Sequence, residues 1–406
     1  MGKIEDQWRD GMSRRSALIG LAGFLAGSPL LRAQEDPRAL SEHKRALGIG
    51  EMQNVWDFEA VFGTNVPYTI RDYTAHGDGT EWTLRRNRQA FEWVDLVPGK
   101  AVDPKSVDLT TTVYTTKMKN PIMISPTSGH NLIHPEGEAA THRGSSGAGT
   151  PYIIASGPGI PLEKIGPTGD GPMWYQLYGQ EDIEANRPML DRAMAIGCQA
   201  LVVTVDQQAS YYPRTLQDRN LGGAVRGAAP AGGGRGRGAA APPTSGPALY
   251  RTGTNRAWYT WEWLENIRKL VKVPVVIKGI ERPEDAQICV ERGFGVYVSN
   301  HGGRSLDYGP SMLEVLPEIV AQVKGKVPVL VDSGFRRGTD VLKALAIGAD
   351  AVCVGRVQRW GLGAYGAPGV QRVLEILQQE LVQAAAEHGY TSRASINQSA
   401  VRTHFS

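Results

Sequence analysis

Residues 327–356 read VPVLVDSGFRRGTDVLKALAIGADAVCVGR. An apolar, β-branched run over 327–331 breaks at Asp332-Ser333-Gly334-Phe335-Arg336. A helical pattern follows, and a second apolar run over 351–354 ends at Gly355-Arg356. Strand, turn, helix, strand is a unit whose two strands pair in parallel. Runs apolar at every position suit strands covered on both faces. Working outward, runs of the same kind occupy residues 121–125, 152–155, 173–177, 200–205, 273–277 and 295–298, each followed by a polar or glycine-rich turn. Eight units over about 250 residues predict a single (β/α)8 TIM barrel, since a doubly wound open sheet more often stops at about five or six strands.

The composition suits one large α/β body: 406 residues, 41% hydrophobic and 21% charged. A formal charge of only +3 gives no electrostatic reason to expect nucleic-acid binding. Cys198, Cys289 and Cys353 lie far apart in apolar segments without CxxC spacing, so they read as buried packing residues rather than a disulfide framework or metal site. Glycine is the excess, with 49 Gly beside 25 Pro.

Two segments stand outside the barrel pattern. Ser13-Arg14-Arg15 opens an apolar, glycine-rich run ending near Ala33, which has the layout of a twin-arginine signal peptide and is too short and too rich in Gly and Pro for a membrane-spanning helix. The sequence therefore divides into 1–33, an export signal; 34–54, a linker; and 55–406, the barrel with an N-terminal helical extension. Export predicts a periplasmic protein; without it the protein is cytoplasmic. Between the fourth and fifth strands, residues 222–247 read GGAVRGAAPAGGGRGRGAAAPPTSGP, with almost nothing to anchor a core, and predict a flexible loop. Its arginines Arg226, Arg235 and Arg237 suit a lid, a membrane-surface contact or a redox partner; a solvated insertion is the cheaper reading.

Barrel chemistry gathers where strands end. The residues there are Pro126-Thr127-Ser128, Ser156-Gly157, Gln176-Leu177-Tyr178, Thr204-Val205-Asp206, Lys278, Ser299-Asn300-His301-Gly302-Gly303-Arg304, Asp332 to Arg336, and Gly355-Arg356. The glycine turns and guanidinium forks after the seventh and eighth strands suit a phosphate.

These motifs resemble the FMN-dependent 2-hydroxy acid oxidase and dehydrogenase family, which includes glycolate oxidase, lactate oxidase, mandelate dehydrogenase and the flavin domain of flavocytochrome b2. The resemblance spans about residues 55–405 and rests on SNHGGRSLDYGP at 299–310, VDSGFRRGTDVLKALAIGADAVCVGR at 331–356, HPEGE at 134–138, GTNVPYTIRDYTAHG at 63–77 and QLY at 176–178. It implies FMN as cofactor and oxidation of an (S)-2-hydroxy acid to the 2-oxo acid, with electrons passing to oxygen or to a quinone or cytochrome. His301 matches the base and Asp206 the carboxylate that orients it. Arg304 and Arg214 match the two arginines, and Tyr73 and Tyr178 the two tyrosines, that grip the substrate carboxylate. Lys278 matches the cation beside the flavin N1 and O2 edge. Gln176 and Thr204 match groups bonding the ring, and Pro126, Thr127 and Ser128 the segment against it. Asp332 matches the ribityl contact, and Ser156, Ser299, Ser333, Gly334, Arg336, Gly355 and Arg356 further cofactor positions. Ser333 departs from the family's glycine, and Arg214 sits in a segment one residue longer than usual. Gly157 stands where glycolate oxidase has a large aromatic, which enlarges the pocket toward lactate-sized, bulkier and aromatic acids. A homo-oligomer is expected by family analogy alone. Two other readings stay open: an FMN-dependent isopentenyl diphosphate isomerase, which needs no set gripping a carboxylate, and a flavin-binding partner protein without turnover.

Overall fold

The computed structural model describes residues 47–206 and 259–405. The expected export signal, the 222–247 loop and Arg214 lie outside the described residues.

Eight parallel strands close into a barrel. They are β1 (Ile122–Ile124), β2 (Tyr152–Ile154), β3 (Met173–Leu177), β4 (Cys198–Thr204), β5 (Val275–Ile280), β6 (Gly295–Val298), β7 (Val329–Val331) and β8 (Ala351–Val354). Their order around the ring is their order in the chain, with β8 pairing β1 through Cys353 opposite Met123. Every strand expected from sequence is present, and five of them start just after a proline, Pro121, Pro151, Pro172, Pro274 or Pro328. Proline has no N–H to give to a ladder, so regular pairing begins after it.

Side chains alternate between two cores. Met123, Ile153, Trp174, Val202, Val276, Tyr297, Leu330 and Cys353 fill the barrel, whereas Ile122, Tyr152, Tyr175, Val203, Ile277, Val298, Val331 and Val352 face the surrounding helices. A hairpin, Thr111–Val113 with Thr116–Met118, brings Val113 and Met118 into the inner cluster. Its Thr116 hydroxyl accepts the Trp174 indole N–H at 2.7 Å. All three cysteines are buried and free.

Among the described residues, three short helices precede the barrel: α1 (Val55–Asn65), α2 (Tyr68–Ala75) and α3 (Trp82–Gln89). Packing begins ahead of residue 55, however. Leu47 and Met52 are buried, and their carbonyls accept from the Tyr365 hydroxyl and the Arg372 guanidinium. At the other end Val401–Thr403 pairs antiparallel with Val94–Leu96.

Helices α2 and α3 are anchored to the loops at the C-terminal ends of the strands. Asp307 accepts from the Thr80 and Trp82 amides at 2.6 and 3.1 Å, capping the start of α3. Asn87 and Asn300 exchange two amide bonds of 2.9 Å. Arg86 meets Glu314, and Arg88 meets Asp340. Glycines let the surfaces touch: a Cβ on Gly303 (φ +81°) would come within 2.7 Å of the Leu84 backbone, and one on Gly334 (φ +91°) within 2.3 Å of the Asn87 carbonyl oxygen. The N-terminal extension packed against these glycines leaves no room for a side chain on either.

Candidate active site

The innermost polar layer begins where the apolar filling stops. Lys278 is buried at the top of β5, its Nζ donating to Ser299 Oγ at 2.8 Å and lying 3.3 Å from Asp206 Oδ2. The other Asp206 oxygen lies 2.8 Å from His301 Nδ1, and His301 Nε2 lies 3.5 Å from the Tyr178 hydroxyl. Four strand ends thus meet in one chain: Tyr178, His301, Asp206, Lys278.

The electrostatics follow from that chain. Burial pushes the Asp206 pKa up, but Lys278 and His301 outweigh it and hold it below the ordinary carboxylate value. Burial likewise opposes the Lys278 cation, and Asp206 with Asp332 overrides it, raising the ammonium pKa. For His301 burial wins: with Lys278 and Arg304 it outweighs the pull of Asp206 and leaves the imidazole pKa below its usual 6.5. His301 is therefore neutral at neutral pH, the state a base requires. With Nδ1 bonded to Asp206, the proton-accepting atom is Nε2. The His301 backbone sits at φ +60°, a conformation costly for a residue with a side chain and frequent at functional sites.

Ser333 also adopts a positive φ, +82°, which gives the family's glycine its physical reason. Its hydroxyl accepts from the Gly302 amide at 3.1 Å and donates to Asp332 at 2.9 Å, tying the β6 and β7 loops together. Asp332 also accepts from Tyr297 and Ser125 inside the barrel.

A second group holds arginines. The Arg304 guanidinium stacks 4.7 Å over the Tyr73 ring and donates to the Tyr73 and Thr74 carbonyls. Arg356, expected to bind phosphate, gives its nitrogens to the carbonyls of Thr74, His76 and Gly302 at 2.9–3.0 Å. Burial, then Arg304 and Arg336, drives its pKa well down. Arg336 donates to the Phe335 carbonyl and stacks 4.9 Å over Trp360. Gathering cations in a buried space is unfavourable unless anions enter it.

Gln176 and Thr204 are buried at the tops of β3 and β4. Gln176 Oε1 accepts the Ser156 amide at 2.9 Å, while its Nε2 is buried with no partner. A buried donor held ready beside a lysine and an arginine group fits a flat, hydrogen-bonding, anionic ligand. The segment Pro126-Thr127-Ser128 lines the same mouth, half-buried, and Gly157 bends at φ +67°.

Sequence reading passes over several members. Glu281 follows the irregularity in β5 between Lys278 and Ile280. That irregularity puts Ile280 in the outer core, so the residue after it turns toward the mouth. Burial first, then Asp206, raises the Glu281 carboxyl to about 7, with Lys278 opposing. Arg359, three residues beyond the last strand-end arginine, is buried. His130 links Thr127 and Thr141 at 2.7 and 2.9 Å, and burial holds it neutral. Only the buried environment of these residues, invisible in one dimension, distinguishes them.

The fold and site together define a flavin-binding (β/α)8 barrel whose mouth holds a buried histidine–aspartate–lysine chain and a group of arginines. The chain belongs to the FMN-dependent dehydrogenase family, whose model matches residues 63–403, and its cofactor is FMN. It is 38% identical over 362 residues to the L-lactate oxidase of Nostoc sp., covering 85% of this chain and 97% of that protein. It is 35% identical over 367 residues to glycolate oxidase 5 of Oryza sativa subsp. japonica, covering 87% and 97%. Among solved structures, mandelate oxidase with (S)-2-phenylpropionate superposes with a TM-score of 0.74 at 36% identity, covering 87% of this chain and 98% of that one.

Proposed function

We propose that the protein oxidises an (S)-2-hydroxy acid to the 2-oxo acid, with His301 as the base. The observation that carries this is the His301 imidazole bonded through Nδ1 to a buried Asp206–Lys278 pair, with Nε2 turned toward Tyr178. The oxidation releases two electrons and two protons; bound FMN would accept the electron pair with one of the protons, which leaves the other for a base. His301 Nε2 takes a proton from the substrate, and Asp206 stabilises the imidazolium that results. Arg304, Tyr73 and Tyr178 are assigned to the carboxylate, a task the isomerase reading does not require, and Arg214 is assigned as their partner. Lys278 keeps a positive charge at the flavin edge, where negative charge develops. Gln176, Thr204, Ser156, Ser299, Asp332, Ser333, Gly334, Arg336, Gly355 and Arg356 are assigned to the cofactor.

Gly157 carries no side chain, which favours a substrate substituent larger than hydrogen. Electrons leave to oxygen, as the oxidase relatives suggest, or to a quinone or cytochrome. Twin-arginine export and a homo-oligomeric state complete the reading; fractionation and light scattering test them. The decisive experiment is anaerobic mixing of the yellow protein with L-lactate and L-mandelate. Bleaching of the flavin absorbance is expected, and His301→Ala should stay yellow and unbleached. No bleaching across a panel of 2-hydroxy acids overturns the proposal.

A further inference from the structure

We propose that Arg359 is a positioning residue that joins the Tyr73-bearing helix α2 to the flavin-facing segment 126–128. Arg359 lies in the first turn of the helix that follows β8 and is 4% exposed. Its Nη1 donates to the Ser128 carbonyl. Its Nε and Nη2 both donate to the Thr74 hydroxyl, at 3.2 and 3.1 Å. One rigid guanidinium plane thereby spans the residue next to Tyr73 and the turn that lies against the cofactor. Gln358 beside it donates to the Thr127 hydroxyl at 3.0 Å, so consecutive residues hold that turn.

Helix α2 has only eight residues, too few to hold its place by its own hydrogen bonds. Three arginines reach its last turn: Arg304 and Arg356 at the Thr74 carbonyl, and Arg359 at the Thr74 hydroxyl. The first two are the ones assigned to substrate carboxylate and phosphate. When they turn to those anions, α2 loses their bonds. Arg359 is spent on neutral protein acceptors and keeps its grip through the ligand cycle. Burial depresses its pKa to about 10, which leaves it a cation at neutral pH.

This inference rests on the 2-hydroxy acid reading, and the test separates the two. Full-length Arg359→Met, Arg359→Lys, Thr74→Val and the Arg359→Met/Thr74→Val pair are compared with wild type. FMN affinity is read by titrating the apoprotein, and substrate affinity by the concentration dependence of anaerobic flavin bleaching. Arg359→Met should weaken both FMN and substrate about tenfold while the limiting bleaching rate changes less than about threefold. Thr74→Val should weaken substrate alone. The pair should be no worse for substrate than Arg359→Met, because both remove one contact. Arg359→Lys, whose single ammonium cannot bridge both acceptors, should recover only one affinity. Independent, multiplying substrate losses, or Arg359→Met affinities within about twofold of wild type, overturn the proposal. If Arg359→Met does not accumulate, Thr74→Val and Arg359→Lys decide on the same criteria. If the wild type is not bleached by any 2-hydroxy acid, the functional reading fails, and the FMN titration still decides the role of Arg359.

Discussion

Replacing Glu281 by Gln should make the protein more stable, by an amount that depends on pH in a calculable way. The Glu281 carboxyl is raised from 4.5 to about 7, by burial first and then by the Asp206 charge, with Asp332 adding and Lys278 opposing. Moving an ionisation midpoint by one pH unit is worth about 1.4 kcal/mol, so the full effect is about 3 kcal/mol, reduced by solvent at a half-buried site to about 1–3 kcal/mol. Below pH 4.5 the group is protonated both folded and unfolded, and its favourable contribution is complete. As pH rises toward 7 the unfolded chain releases the proton while the folded one retains it, and that contribution is lost. Above about 7 both forms are ionised and the loss is constant. Glutamine does not titrate. The stability advantage of Glu281→Gln should therefore grow between about pH 4.5 and 7 and then level off. Urea midpoints of the FMN-loaded proteins across that range measure it. An advantage that is flat from about pH 4.5 to 8, or one that shrinks as pH rises, would refute the raised Glu281 pKa and the burial behind it.

Asp206→Asn should slow anaerobic flavin reduction by about 10²–10⁴-fold in stopped flow, because it leaves His301 without its orienting carboxylate and Lys278 as an uncompensated buried cation. Gly157→Trp should shift the kcat/KM ratio from lactate and mandelate toward glycolate; because φ is +67° it should also cost about 1–2 kcal/mol of stability in a thermal melt. Gly334→Ala places a methyl 2.3 Å from the Asn87 carbonyl at φ +91° and should cost about 2–5 kcal/mol, read as a lowered melting midpoint.

The barrel is legible in the sequence because two-sided burial writes itself as unbroken apolar runs, and each expected run is a strand. Strand ends are less so. β5 continues past Lys278 through Gly279 to Ile280, since a backbone irregularity, which leaves no compositional mark, lets a lysine and a glycine sit within a strand. The strand-end cluster is legible because its members follow the strands directly, and the structure brings Tyr178, Asp206, Lys278 and His301 together. Arg356 reads in sequence as a fork for phosphate; what the sequence does not show is that its nitrogens also reach three main-chain carbonyls. Arg359 and Thr74 escape a sequence reading because each is one of several polar residues on a helix. Which of them turns inward depends on a neighbour more than 280 positions away.

The anchoring of α2 and α3 also bears on the order in which the chain should fold. The bonds that seat this N-terminal segment reach residues 300–359, across sequence separations of 213 to 285 residues. A growing chain therefore carries the Tyr73 helix with nothing to dock on until most of the barrel has been made. Contacts so distant in sequence form slowly and late. The Tyr73 side of the mouth is expected to be completed late, by a part of the chain synthesised early.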